Sequence, residues 1–317
     1  MTLPVRWGVL GAGWLVTTAT ADAIHAADGA VLAATAARDL DRARATEPLR
    51  AYDSYAAVID DPEIDAVYIC LANDAHLPWI QAATAAGKHV LCEKPLTLSR
   101  ALADEAFACG ERHGVMVVEA TWTRWHPRMR RIVDLATSGA LGTLTDYEGS
   151  FTFEGVTPGN YRLSLAHGGG ALYDVGIYPL HGLLACLPEV DALDVLEVER
   201  AMNGTHDDAV DLTTRAQVSW GPDTSASILA SFATPAQQRL RLTGTDGSLE
   251  VLGEDAFANW RKPARLRVGE HIEDFPATDA YALMFAGMSA AISGQGGWVL
   301  PARDSLRVAS AVDSLLW

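Results

Sequence analysis

Glu93-Lys94-Pro95 closes an apolar run, His89-Val90-Leu91-Cys92, of the kind that forms a buried parallel strand. An ammonium at a strand's carboxyl end points into the crevice where open α/β sheets bind their ligands. There it can donate a hydrogen bond to a reacting oxygen and favour the ionised form of a neighbouring acid. Read alone, the same lysine is a charge just past a strand edge. Further along, Asp174 and Tyr178 stand one helical turn apart, so a carboxylate and a phenol can share a helix face. A third set is Gly11-Ala12-Gly13-Trp14-Leu15-Val16, which follows an apolar run and opens a helical stretch. Gly11 permits a tight turn, and Gly13 lets backbone approach a pyrophosphate at a helix N-terminus. Val16 stands where the dinucleotide fingerprint has Gly or Ala, which should hold helix and strand slightly further apart.

These residues need elements to position them. Apolar runs at 5–10, 30–37, 65–71, 88–92 and 115–119 predict strands. Between them, residues 19–27, 78–86 and 99–112 predict helices, the second stopped by Gly87 and the third capped by Ser99 and stopped near Gly114. That alternation predicts a parallel sheet with right-handed crossovers. The second strand runs out into Ala37-Arg38-Asp39, where the cofactor's ribose should lie. Arg38 suits the 2′-phosphate of NADP, so NADP is favoured and NAD remains possible; Asp39 could instead face the ribose, or both could be turn residues.

After residue 122 the pattern changes. Residues 127–136 predict a helix with Pro127 in its first turn. Beyond Gly142 most segments alternate at period two: Tyr147, Phe151 and Phe153 share one strand face, and Val210, Leu212 and Thr214 another. Runs 239–243 and 248–252 flank Asp246-Gly247, a hairpin signal. Residues 302–317 form a terminal helix able to pack back on the first domain. At 317 residues the chain exceeds the usual size of one core. The expected fold class is α/β. An N-terminal Rossmann domain (1–122) with a doubly wound parallel sheet precedes an α+β domain (123–301) with an open, mainly antiparallel sheet.

Composition excludes other classes. Hydrophobic residues make up 49% of the chain, enough for a sizeable core, and the net charge of −16 argues against nucleic acid or an anionic membrane as partner. Cys70, Cys92, Cys109 and Cys186 lie far apart with no metal-site or redox spacing, so no metal is expected and the thiols read as buried in a reducing compartment. Arg6, the apolar run 7–16 and Ala19-Thr20-Ala21 imitate a signal peptide, but glycines break the run. A cytoplasmic location is expected, and no apolar stretch is long enough to span a bilayer.

The motifs Gly11-Ala12-Gly13, Ala72-Asn73-Asp74-Ala75-His76, Glu93-Lys94-Pro95 and the stretch from Gly168-Gly169-Gly170 through Asp174 to Tyr178-Pro179 together resemble the glucose-fructose oxidoreductase/inositol dehydrogenase (Gfo/Idh/MocA) family. The resemblance covers essentially the whole chain. Residues 37–40 and 119–125 are most similar to the family's NADP-dependent dihydrodiol and D-xylose dehydrogenase branch, and Tyr178 agrees, since inositol dehydrogenase-like members usually carry histidine there. Val16 and the Trp125-His126 pair depart from the pattern. The resemblance implies a Rossmann domain and a C-terminal sheet that walls the active site. It also implies that Asn73 and His76 line the nicotinamide side of the pocket, that Glu93 positions lysine and cofactor, and that Lys94 and Tyr178 meet at the reacting carbon.

The chemistry follows from the residue types. Hydride transfer is the cofactor's work, and the protein must manage one proton and one developing charge. Tyrosine titrates near ~10 when unperturbed, and an adjacent ammonium favours its phenolate. Tyr178 is therefore expected as acid/base, Lys94 as its electrostatic partner and Asp174 as a substrate-orienting group. Without that context Asp174 and Tyr178 simply begin a helix. His181, one turn on, reads as packing. Arg124, Arg128, Arg130 and Arg131 read as a solvated helix face, with Arg124 a candidate to reach cofactor or substrate. Trp125 is a candidate to stack on a pyranose, against a core reading. Arg162 resembles a substrate-side arginine of the sugar dehydrogenases, against a surface-loop reading.

The function expected is NAD(P)-dependent oxidation of a sugar or cyclic diol. One alternative is an NADPH-dependent keto-sugar reductase, and another a non-catalytic dinucleotide-binding regulator. Family analogy adds a homodimer through the C-terminal sheet.

Overall fold

A computed structural model describes residues 3–205, 207–259 and 261–316. The chain divides into two compact units. The first holds the residues up to Thr97 together with Ala101–Trp125 and Asp279–Ala302; the second holds Leu98–Arg100, His126–Thr278 and the chain from Arg303 onward.

The first unit is built on six parallel strands: β1 (Val5–Leu10), β2 (Ala30–Ala36), β3 (Arg50–Tyr52), β4 (Ala66–Ile69), β5 (His89–Cys92) and β6 (Val117–Glu119). Their order is β3-β2-β1-β4-β5-β6, so strand order reverses beside β1. Such a reversal opens a crevice at the carboxyl ends of the strands. The strands are short and apolar because both faces are covered; β4 is buried at every position. Three short elements escaped the sequence pattern: β3 and the helices Leu40–Arg44 and Tyr55–Asp60, each too short to show a period.

Helix Ala280–Ile292, on which the sequence reading was silent, belongs to this unit. Its Phe285 meets Trp7 and Tyr68 edge-on at 5.1 and 5.2 Å, and Ser289 Oγ accepts a 3.0 Å hydrogen bond from the Trp7 indole. Helix Ala302–Leu316 instead belongs to the second unit, where Arg307 donates to the carbonyls of Leu184, Leu187 and Val190. Helix Ala280–Ile292 is the late segment that clusters with the first unit. Position 317, included in the expected helix, lies outside the described residues.

The second unit carries eight strands: β7 (Leu144–Thr152), β8 (Asp194–Met202), β9 (Asp211–Ser219), β10 (Ser225–Ser231), β11 (Gln237–Gly244), β12 (Ser248–Leu252), β13 (Ala264–Val268) and β14 (His271–Phe275). Their order is β14-β13-β12-β11-β7-β10-β9-β8, antiparallel except where β10 runs parallel to β7. β11 and β12 pair across the expected turn, with Thr243 opposite Ser248. Helices Pro127–Thr137 and Ile177–Cys186 pack together, and the latter lies on β7 and β10. Tyr147 Oη donates to Pro179 O at 2.9 Å, joining sheet to helix. Among the described residues no helix is long and apolar enough to cross a membrane, and all four cysteines are free thiols.

Candidate active site

The glycine turn leaves β1 and enters a helical stretch over residues 14–26, wound as a π-helix at Val16–Thr20 and as an α-helix at Ala21–Ala26. Gly11 adopts φ 105°, and a Cβ there would collide with the Cys70 carbonyl, so only glycine fits. At Gly13 a Cβ would meet nothing within 4 Å. This open backbone at a helix start suits a pyrophosphate. Trp14 is 68% exposed, Leu15 is partly buried and Val16 is fully buried where the wide π turn begins.

At the end of β2 the two candidates part ways. Asp39 Oδ1 accepts from the backbone N–H of Asp41 at 3.0 Å and of Arg42 at 3.4 Å, capping helix Leu40–Arg44. Arg38, its neighbour, is exposed.

At the end of β5 the backbone of the Lys94 turn is held from three sides. Glu93 Oε2 accepts from the Lys94 N–H at 3.3 Å. The Pro95 carbonyl lies 2.9 Å from His76 Nδ1, and Leu96 N–H donates to Glu119 Oε1 at 3.0 Å. The Lys94–Pro95 peptide is cis, and Lys94 itself is partly buried.

His76 is fully buried, which lowers its pKa and favours a neutral ring; its other nitrogen lies 3.3 Å from the Leu71 carbonyl. It therefore ties two strand-end loops together. Asn73 sits in the short turn Asn73–Ala75 ahead of helix His76–Ala85. Burial pushes the Glu93 carboxyl up to about 7, against the stabilising Tyr68 hydrogen bond and Lys94 charge; Glu119 adds to the rise.

In the second unit, Asp174 lies in the π-wound start (Leu172–Gly176) of the helix that continues as Ile177–Cys186. Arg162 Nε donates to Asp174 Oδ2 at 2.6 Å, an ion pair linking two residues singled out separately in the sequence. Burial opposes the Arg162 charge, but Asp174, together with Tyr161 and Tyr178, holds its pKa above the ordinary value, so Tyr178 lies within electrostatic reach of the guanidinium. Tyr178 packs beside Phe151 and Phe257, ring centroids 5.4 and 6.3 Å away.

The glycines before this helix are a packing requirement. Gly170 has φ 120° and lies against Asp211, whose Oδ2 accepts from Leu172 N–H at 2.9 Å and caps the helix. Asp211, Tyr68 and Glu119 carried no periodic signal; only the acidic end of run 115–119 pointed toward Glu119.

Other expectations are corrected by burial. Trp125 is 1% exposed, packs edge-on to Trp298 and donates from its indole to the Trp298 carbonyl at 3.3 Å, so it has no open face for a sugar. Of the four arginines Arg130 is exposed as expected, but the others do not complete a solvated face. Arg124 is buried, Arg128 donates to the carbonyls of Asp255 and Ala256, and Arg131 makes a bidentate pair with Glu273. His126 caps helix Pro127–Thr137 through Nδ1, and burial lowers its pKa to about 4. His181 is buried, in keeping with packing.

Residues 5–121 match the Gfo/Idh/MocA oxidoreductase family, NAD-binding Rossmann fold, and residues 128–250 match the Gfo/Idh/MocA C-terminal domain. The chain belongs to the Gfo/Idh/MocA oxidoreductase family. A dTDP-3,4-didehydro-2,6-dideoxy-alpha-D-glucose 3-reductase of Actinomadura kijaniata is 32% identical over 327 residues, covering 98% of this chain and 95% of that protein. The D-xylose 1-dehydrogenase (NADP(+)) 2 of Haloferax volcanii is 34% identical over 78% of this chain and 75% of its own length. Among solved structures, KijD10, a 3-ketoreductase from Actinomadura kijaniata in complex with NADP and TDP-benzene, superposes with a TM-score of 0.86 at 28% identity. That match covers 99% of this chain and 97% of KijD10.

Proposed function

We propose that this oxidoreductase moves a hydride between NADP and a carbinol carbon of a sugar or sugar-like cyclic diol, with Tyr178 as acid/base and Lys94 as its electrostatic partner. The observation that carries the reading is the braced Lys94 turn at the carboxyl end of β5, in the same parallel sheet as the Gly11–Gly13 turn. Gly11, Gly13, Trp14 and Leu15 would hold the pyrophosphate, with Asn73, His76, Glu93 and Lys94 around the nicotinamide. Asp39's engagement as a helix cap supports Arg38 as the 2′-phosphate ligand and hence NADP over NAD.

A bound nicotinamide supplies or accepts the hydride. The chain's own residues handle the proton and the charge. In oxidation Tyr178 Oη takes the proton of the substrate hydroxyl; in reduction it returns one to the nascent alkoxide. Cationic Lys94 and Arg162 would favour the phenolate of Tyr178 in this exchange. Arg162 holds Asp174, and Asp174 orients a second substrate hydroxyl. Arg124 remains a candidate substrate contact; Trp125 does not.

Keto-sugar reduction is the second reading, favoured by the reductase that aligns with 98% of this chain. An assay with NADP(H) and NAD(H), followed at the nicotinamide absorbance in both directions on free pyranoses, cyclic diols and 3-keto or 4-keto sugars, separates the two. Cofactor binding without turnover on any of them would favour a regulator instead. A homodimer through the outer face of the second sheet belongs to the same reading. Edge strand β8 exposes Leu196 (62%) and Met202 (41%), and sedimentation would test the pairing.

A further inference from the structure

Tyr68, Glu93 and Glu119 lie side by side at the carboxyl ends of β4, β5 and β6, and none is more than 6% exposed. Tyr68 Oη donates to Glu93 Oε1 at 2.6 Å, and the other Glu93 oxygen receives the Lys94 N–H. Glu119 is brought level by the ladder, in which Cys92 is the partner of Glu119, and receives the Leu96 N–H on the far side of the turn. A buried carboxylate is costly, and two as neighbours are costlier still. A neutral amide could accept the same backbone N–H bonds. What an amide cannot supply is negative charge within reach of the ammonium of Lys94.

We propose that Tyr68 and Glu119 are positioning residues for the Lys94 chemistry: with Glu93 they form a buried brace that fixes the turn and sets the charge opposite its ammonium. The inference rests on the function proposed above for its catalytic meaning, but the brace is a property of the chain itself. The titratable groups facing Glu93 are Tyr68 and Cys70 from the β4 side, Cys92 from β5, Lys94 from the turn and Glu119 from β6. Tyr281, on helix Ala280–Ile292, acts on Tyr68. Burial holds Tyr68, Cys70 and Cys92 protonated well above neutrality and pushes the Glu93 carboxyl up to about 7.

The two supports act on Glu93 with opposite signs. The Glu119 charge repels ionisation of Glu93, whereas the Tyr68 hydrogen bond favours it. The test is an infrared titration of the Glu93 carboxyl stretch in the cofactor-free protein, assigned with Glu93→Gln, alongside the pH profile of kcat/KM. Glu119→Gln is expected to lower the Glu93 midpoint by about half a pH unit or more, and Tyr68→Phe to raise it by a similar amount. The acid limb of kcat/KM should follow in each variant.

A midpoint unmoved by both substitutions overturns the inference, as does a limb that stays put while the midpoint moves. If Glu119→Gln fails to fold, the upward shift in Tyr68→Phe decides alone. If the wild type turns over no substrate, the proposed function fails while the brace is still decided by the infrared midpoints and by the pH dependence of NADPH affinity read by fluorescence. That affinity should follow the midpoint, and a flat dependence overturns the brace.

Discussion

Arg162 Nε stands 2.6 Å from Asp174 Oδ2, and the guanidinium also acts on Tyr178. A candidate substrate-side arginine and a candidate substrate-orienting acid are thus one unit. Removing the arginine leaves a carboxylate whose side chain is only 11% exposed. Arg162→Ala should cost about 1–2 kcal/mol, the lower range for a pair with a partly exposed arginine, measured by urea unfolding. The limb of kcat/KM set by Tyr178, acid in oxidation and basic in reduction, should move to higher pH, because the phenolate loses a cation. A double-mutant cycle with Asp174→Asn should return a coupling energy above about 0.5 kcal/mol.

Tyr178→Phe keeps the ring against Phe151 and Phe257 and removes only the hydroxyl. Turnover should fall about 10²–10⁴-fold while NADP binding and melting temperature stay near wild type. Retained turnover would exclude Tyr178 as the proton carrier.

Replacement of Arg38 by Ala should weaken NADP by roughly tenfold or more and leave NAD nearly unchanged, because only the 2′-phosphate distinguishes them. Asp39→Ala has a different expected signature. It removes the cap of helix Leu40–Arg44, costs about 1 kcal/mol and affects both cofactors alike. Binding isotherms for the four combinations check both statements.

Glu93 makes stability depend on pH. Its folded pKa of about 7 lies above the ordinary 4.5. The folded state therefore binds more protons than the unfolded state between those values, and stability falls as pH rises through the window, then levels off above it. Glu93→Gln lacks this term. Between pH 5 and pH 8 the stability difference should move in the variant's favour by up to a few kcal/mol, on the order of 3, at about 1.36 kcal/mol per pH unit. Parallel denaturation curves at the two pH values measure it.

Trp125 is a core residue packed on Trp298. Truncation to Ala should destabilise the fold by about 3–5 kcal/mol, the range for a large buried aromatic, by loss of packing against Trp298. Discrimination among sugars should be unchanged in whatever folded protein remains.

Local pattern was sufficient for much of this protein. The Gly11–Gly13 turn, the apolar strands β1, β2, β4 and β5, and the β11–β12 hairpin were legible because a glycine turn, a continuous apolar run and a two-residue period are properties of neighbours in sequence. The motif order also sufficed to suggest the family. What the sequence could not determine were relationships between distant residues. Asp39 rather than Arg38 became a helix cap, Trp125 went inside against Trp298, and Arg162 found Asp174. Tyr68 and Glu119 came to flank Glu93 because parallel pairing brought three strand ends level. Burial and charge pairing are decided by which segments meet, and that is a property of the folded chain.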